Sequence, residues 1–314
     1  MTETMRAIVQ DELGGPEVLH VAEVERPTPS LGRVLVRVHA AGVNPADEMN
    51  RRTGTFSGVP PFTLGWDVSG VVEAVGPGVT LYRPGDEVFG LLPFPSGSGA
   101  YAEYVVAPTR VLVPKPASLS HVQAAALPLA GLTAWQALAE TARLTSGDRV
   151  LITGATGGVG HLAVQIAAAA GAEVVGLAST ENLDLARDLG ATTVLDYRGD
   201  DVLAGLGELD VVFDTVGRYA AEAVPTIRSG GTLISTLPQT LGDAVQKGAE
   251  HGIRVAGLFV ESDRLGLNAL VDLVEAGRLR PLIAATYPLD EAAAAHAEPH
   301  GPGKVVLVVR PTVD

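Results

Sequence analysis

The residues with the clearest chemical promise lie in one short run, GATGGVG, from Gly154 to Gly160. Glycines this dense let a backbone turn sharply and pass close to a ligand, because no Cβ blocks the approach. A helix that starts there aims unpaired N–H groups and its positive dipole end at whatever binds. The group that suits such a turn is an anion, above all the pyrophosphate of a dinucleotide. The spacing is A-x-G-x-x-G, with Ala155 at the first glycine of the usual fingerprint, so the flanking elements must carry the reading.

They do carry it. Val150, Leu151, Ile152 and Thr153 form a short β-prone run before the glycines, an alanine-rich segment with helical spacing follows, and a second apolar run, Glu173 to Ala178, comes after Gly171. Strand, turn, helix and strand within about 30 residues open a doubly wound parallel sheet. Four more strands, Thr192 to Tyr197, Asp210 to Gly217, Gly230 to Leu237 and Ile253 to Val260, each follow a helix-like segment such as Asn182 to Gly190. Six parallel strands complete a dinucleotide domain.

Upstream the pattern differs. Met5 to Gln10, Leu19 to Glu25, the strictly alternating Arg33 to Ala40, Thr63 to Val79 and Arg83 to Leu92 predict a small all-β domain of curled strands. From Ser120 the chain turns helical, with a break at Pro128, and Arg264 to Gly277 is one more helix. Lys304 to Val309 is a final strand with no helix after it, expected to return to the β domain. The expectation is an α/β chain in which residues 1–119, completed by 261–314, form one domain and residues 120–260 the other.

Composition narrows the possibilities. With 314 residues, two domains are expected. A net charge of −14 leaves no basic footprint for nucleic acid or an anionic membrane, and no apolar run approaches the roughly 18 residues of a membrane span. The absence of cysteine removes disulfides, thiolate catalysis and zinc sites that need sulfur. The amino terminus carries acids where a signal peptide has basic and apolar blocks, so a cytoplasmic protein acting on a small molecule is expected.

GATGGVG followed by AVQIA, together with LGWDVSGVVEAVGPGV, RPGDEVFG, AYAEYVV, ALPLAGLTAWQAL and the final GKVVLVV, resembles the zinc-free branch of the medium-chain dehydrogenase/reductase superfamily, the quinone oxidoreductase or zeta-crystallin-like proteins. The resemblance spans essentially the whole chain. It implies a GroES-like catalytic domain, a Rossmann domain and NADPH in the cleft between them. It also implies that zinc is lost: zinc-dependent relatives have cysteine at the place of Asn44, histidine at Trp66 and cysteine at Leu129, and their four-cysteine lobe would fall in PFPSGSGA, between Leu92 and Tyr101.

Hydride transfer to a quinone or to the β-carbon of an enone builds negative charge on oxygen, which without a metal calls for a hydrogen-bond donor or a proton-delivering water. The resemblance places Asn44 of GVNPAD beside the nicotinamide with Asp47 one turn on, giving the two catalytic candidates; as loop residues both also suit Asx capping. Met49 stands where some relatives have tyrosine, while Tyr101 and Tyr104 read as packing and Lys304 as a solvated lysine. For the cofactor the resemblance implies Asn44 and Thr133 toward the nicotinamide side, Thr156, Gly157, Gly158 and Val159 at the pyrophosphate, Val216 and Leu237 at strand ends, and the Phe259 and Val260 backbone at the carboxamide.

An acid at the tip of the second strand grips the ribose hydroxyls in NAD enzymes, but here the tip is Ala178, Ser179, Thr180. Ser179 suits a 2′-phosphate, and the resemblance puts Tyr197 beside it, next to Arg198; Glu181 opposes by repulsion. NADPH is therefore expected over NADH, in a reductase of quinones or α,β-unsaturated carbonyls. An enoyl-thioester reductase, for which Arg51 and Arg52 would serve a carrier phosphate although they read first as a solvated loop, and a dinucleotide-binding protein with little turnover stay open. The apolar sixth strand is a sheet edge that invites a second copy, so a homodimer is expected.

Overall fold

The computed structural model describes residues 3–310. In chain order the elements begin with β1 (Thr4–Val9), β2 (His20–Glu25), β3 (Arg33–Val43), α1 (Pro45–Thr53), β4 (Asp67–Val75), β5 (Glu87–Leu91), β6 (Tyr104–Pro108), β7 (Leu112–Pro114), α2 (His121–Ala125) and α3 (Pro128–Trp135). There follow β8 (Arg149–Ile152), α4 (Gly160–Ala170), β9 (Glu173–Ala178), α5 (Leu183–Asp188), β10 (Thr193–Asp196), β11 (Leu209–Asp214), α6 (Ala220–Ala223), β12 (Ile227–Ser235), α7 (Ala244–His251) and β13 (Arg254–Gly257). The last elements are α8 (Arg264–Glu275), β14 (Ile283–Pro288), α9 (Ala292–Ala297) and β15 (Lys304–Val308). No helix among the described residues is long and apolar enough to cross a membrane.

Contacts divide the chain into two units, the first running to Leu132 and adding Glu261–Glu275 and the chain from Pro281, the second Thr133–Val260 with Ala276–Arg280. The first unit is the expected β domain, discontinuous as predicted. Its sheet runs β14-β15-β3-β4-β5-β7, with β6 also on β3 and β1-β2 as a separate hairpin. The valines of β3, Val34, Val36 and Val38, are fully buried on the face its alternation predicts. β15 lies antiparallel to β3 with Val305 opposite Val43, a register that brings Lys304 to the level of Asn44. Gly42 must be glycine: a Cβ there would stand 2.5 Å from the Ala125 carbonyl and 2.6 Å from Asp67.

The boundary lies at Leu132 rather than at residue 119. The small side chains of α2 explain this, since Ala125 and Ala126 bury against Ala40 of β3 and Val306 of β15. At the other junction Ala276–Arg280 goes with the second unit, where the Arg280 N–H donates to Gln165 Oε1 and Gln165 Nε2 donates to the Arg280 carbonyl, both at 2.9 Å.

The second unit is one parallel sheet of order β10-β9-β8-β11-β12-β13. The strand order reverses between β8 and β11, the switch point outside whose carboxyl ends such sheets bind ligands. Leu151, Val175, Val212 and Leu233 fill one side of the sheet. The sixth strand is shorter than predicted, because at Leu258 the chain leaves the ladder after a last bond to the Ser235 carbonyl.

At the start of α4 the chain folds so tightly that a Cβ on Gly160 would lie 2.0 Å from the Gly154 carbonyl. Gly160→Ala is therefore expected to cost about 1–3 kcal/mol and lower the thermal midpoint by several degrees. Gly301→Ala, where a Cβ meets nothing within 4 Å, should leave the midpoint unchanged in the same calorimetric scan.

Candidate active site

In the first unit the chain leaves β3 and enters α1 through Asn44, the N-cap, with Pro45 at the first helical position where its missing N–H costs nothing. Asp47, wholly buried, reaches back so that its Oδ2 accepts the Asn44 N–H at 2.9 Å while Oδ1 accepts the Gly65 N–H at 2.9 Å. Both oxygens are thus spent on the backbone. These two bonds tie the Asn44 loop to the approach of β4. Burial and the nearby Asp67 charge push its carboxyl up to about 7.

The Asn44 amide is gripped at both ends. Its Nδ2 donates to Asp67 Oδ2 at 2.9 Å, and its Oδ1 accepts from the Lys304 ammonium, which also donates to the Val43 carbonyl at 2.8 Å and lies 3.7 Å from Asp67. Asp67 Oδ1 accepts the Leu129 N–H at 2.7 Å. One carboxylate therefore stitches together Asn44 and Leu129, and its residue follows Trp66 directly in the chain. An amide nitrogen carries two hydrogens; the second one of Asn44 has no partner among the described residues.

Lys304, read from sequence as solvated, is only 4% exposed. The antiparallel register of β15 turns it inward, where burial pulls its ammonium down and pushes Asp67 up, each opposed by the charge of the other. Trp66 is wholly buried and its indole Nε1 has no acceptor among the described residues. Its ring meets those of Phe56 and Phe94 edge-on, at 5.7 and 5.0 Å between centroids.

A polar chain runs away from Asp47. The Tyr101 hydroxyl, held above its ordinary range by burial and by the Asp47 charge, lies 3.1 Å from His296 Nε2, and His296 Nδ1 is 2.9 Å from Arg51 Nη1. Burial and the Arg51 charge pull His296 down to about 3, so its ring is neutral and its Nδ1 accepts from the guanidinium. Arg51 is buried and also donates to the Gly14 carbonyl at 3.2 Å, so it is a structural residue and not a surface cation; Arg52 is exposed.

In the second unit the predicted cofactor residues follow strand carboxyl ends: Thr156 to Val159 after β8, Ser179 after β9, Tyr197 after β10, Val216 after β11, Leu237 after β12, Phe259 and Val260 after β13. Thr156, Ser179, Tyr197 and Val216 line one cavity of about 340 Å³. The other strand-end residues do not line it; Thr133 lies within α3 and Asn44 in the first unit. The N–H groups of Gly158 and Val159 find no acceptor among the described residues. Free amides, a turn whose Gly160 admits no side chain and an adjoining cavity fit a dinucleotide held at its pyrophosphate and adenosine end.

Sequence reasoning missed Asp67, Asp214 and Arg218, and the inward role of Lys304. Asp214 is fully buried at the end of β11, where Oδ1 accepts from Thr153 Oγ1 at 2.7 Å and from the N–H groups of Val216 and Gly217 at 3.2 and 3.1 Å, while Oδ2 accepts the Tyr219 N–H at 3.1 Å. An acid closing the apolar run of Val211, Val212 and Phe213 was the available signal for Asp214.

Comparison with known proteins agrees. Residues 30–117 match the alcohol dehydrogenase GroES-like domain family and residues 189–307 the zinc-binding dehydrogenase family. Quinone oxidoreductase of Rattus norvegicus is 35% identical, with 96% of each chain covered. The human mitochondrial NAD(P)H oxidoreductase RTN4IP1 is 34% identical over 97% of this chain and 89% of its own. The structure of a quinone oxidoreductase from Coxiella burnetii superposes with a TM-score of 0.91 at 35% identity, covering 98% of this chain and 100% of that one. The chain belongs to the quinone oxidoreductase family of medium-chain dehydrogenases/reductases. Membership makes it an oxidoreductase that works with a nicotinamide dinucleotide.

Two measurements probe the Asn44 surroundings. Lys304→Met leaves Asp67 buried without its counter-charge and should cost about 3–5 kcal/mol, part of which Asp67→Asn should restore in the double variant. Folded Asp47 keeps its proton to about pH 7, whereas an unfolded aspartate loses it near pH ~3.9. The folded state then binds more protons in that window, so this contribution is full below the lower value and is lost as pH rises through the upper one. Asp47→Asn should accordingly flatten the fall in unfolding free energy between those pH values, measured by denaturant titration.

Proposed function

We propose that this chain is an NADPH-dependent reductase that delivers a hydride to a quinone or to the C=C of an α,β-unsaturated carbonyl, without zinc. The observation that carries the reading is the Asn44 amide, locked by Lys304 at its oxygen and by Asp67 at one N–H, which leaves one N–H to donate to a substrate oxygen. The bound reduced dinucleotide supplies the hydride. Asn44 stabilises the charge that develops on oxygen, and the Lys304 cation at Oδ1 polarises the amide and strengthens it as a donor. Trp66, Phe56 and Phe94 give the unit an aromatic cluster suited to a planar unsaturated substrate.

Zinc independence is supported by the donor set. No group of three or more His, Cys, Asp or Glu among the described residues is placed to hold a metal ion, and the resemblance puts the Asn44 amide where zinc-dependent relatives have a cysteine. Ser179 and Tyr197 in the strand-end cavity support NADPH. The thioester reading loses Arg51 as a phosphate anchor, since its guanidinium is buried. A homodimer joined along β13, one of the two edge strands of the parallel sheet, is the proposed assembly, and the cysteine-free chain needs no oxidising compartment, in keeping with a cytoplasmic site.

The purified protein should oxidise NADPH with 1,2-naphthoquinone or a simple enone as acceptor, at a rate that EDTA does not change. Asn44→Ala should lower kcat/KM about a hundredfold. Activity that chelation abolishes and zinc restores would overturn the reading, as would a crotonyl thioester being the preferred acceptor. Light scattering should give twice the chain mass.

A further inference from the structure

The strand-end cavity of the second unit holds more charge than its lining of small residues suggests. It contains Ser179, at the tip of β9 where sheets of this type recognise the adenosine ribose, together with Glu181 and Arg218. Glu181 is already committed, since its carboxylate accepts from both terminal nitrogens of Arg198 at 3.0 and 3.4 Å. The Arg198 guanidinium also lies 5.0 Å over the Tyr197 ring. That pair is closed on itself and contributes no net charge to the cavity.

Arg218 is different. It is exposed, lines the same cavity, and makes no ion pair among the described residues; its guanidinium lies 5.6 Å over the Tyr219 ring. Its backbone is nevertheless fixed, because Asp214 holds the N–H groups of Gly217 and Tyr219 on either side of it. A guanidinium carried on an immobilised loop, in no ion pair among the described residues although Asp200, Asp201 and Glu222 line the neighbouring cavity with it, and beside a ribose-recognising strand tip, suits a doubly charged oxyanion. A phosphomonoester carries about −1.5 to −2 charges at neutral pH and matches the parallel N–H groups of arginine.

We propose that Arg218, and not Arg198, reads the 2′-phosphate of NADPH, with the Glu181–Arg198 pair serving as an electrically neutral wall of the pocket. The inference rests on the proposed preference for NADPH.

The test is direct binding, by calorimetry, of NADPH, NADH, adenosine 2′,5′-bisphosphate and AMP to the intact chain. Arg218→Gln should weaken NADPH and the bisphosphate roughly tenfold or more, and hold NADH and AMP within about twofold. The double variant Glu181→Gln with Arg198→Gln replaces one neutral wall by another and should hold NADPH within about twofold. If the double variant loses the bisphosphate as Arg218→Gln was expected to, Arg198 is the reader and the inference falls. If the wild-type chain prefers NADPH and Arg218→Gln keeps that preference, the inference falls alone. If the wild-type chain binds NADH as tightly as NADPH, the cofactor reading itself fails. An unchanged thermal midpoint for Arg218→Gln, which removes an exposed side chain, separates lost recognition from lost fold.

Discussion

The Lys304 ammonium, buried against the Val43 carbonyl and Asn44 Oδ1 and 3.7 Å from Asp67, is the interaction on which the Asn44 loop depends. Removing such a charge from water costs several kcal/mol, and geometry this specific is what offsets it. The ammonium fixes which way the Asn44 amide points, because oxygen must face the cation and nitrogen must face the carboxylate. Asp67 then sets the distance to Leu129 through a backbone N–H. The result is an amide whose orientation is set by electrostatics.

The second unit solves a parallel problem with backbone. Its ligand-facing groups are amides and short side chains at strand ends, so the precision comes from Asp214, which gathers the loop after β11 and, through the Thr153 hydroxyl, couples it to the end of β8. A single buried carboxylate thus aligns the two loops flanking the switch point. In both units a buried acid positions the neighbouring backbone, and that backbone fixes the groups available to a ligand.

Much of this is legible in the residues. Alternation of Val34, Val36 and Val38, the glycines from Gly154 to Gly160 and the run of strand–helix repeats each act over a few residues, which is the range a sequence reading senses. The parallel sheet, its six strands and the return of the last strand to the β domain follow from them. Long-range pairings of charge escape it. Lys304 reads as solvated because nothing near it in sequence marks burial; its partners lie some 260 positions earlier, and only the β15–β3 register brings them together. Asp47 and Arg51 escape for the same reason, since their partners Gly65 and His296 belong to other elements. The domain boundary slips because α2, helical like α3 after it, is held by the alanines it presents to β3.

The order of elements along the chain bears on how the protein comes into being. β15 completes the β sheet, yet it emerges from the ribosome after every strand of the parallel sheet. The second unit can therefore close while the first still lacks its edge, with Asp67 and the Asn44 amide waiting for a cation not yet synthesised. Closing a loop of that span is entropically slow relative to local pairing, so the nascent β unit is the part of this chain that a chaperone has most reason to shelter.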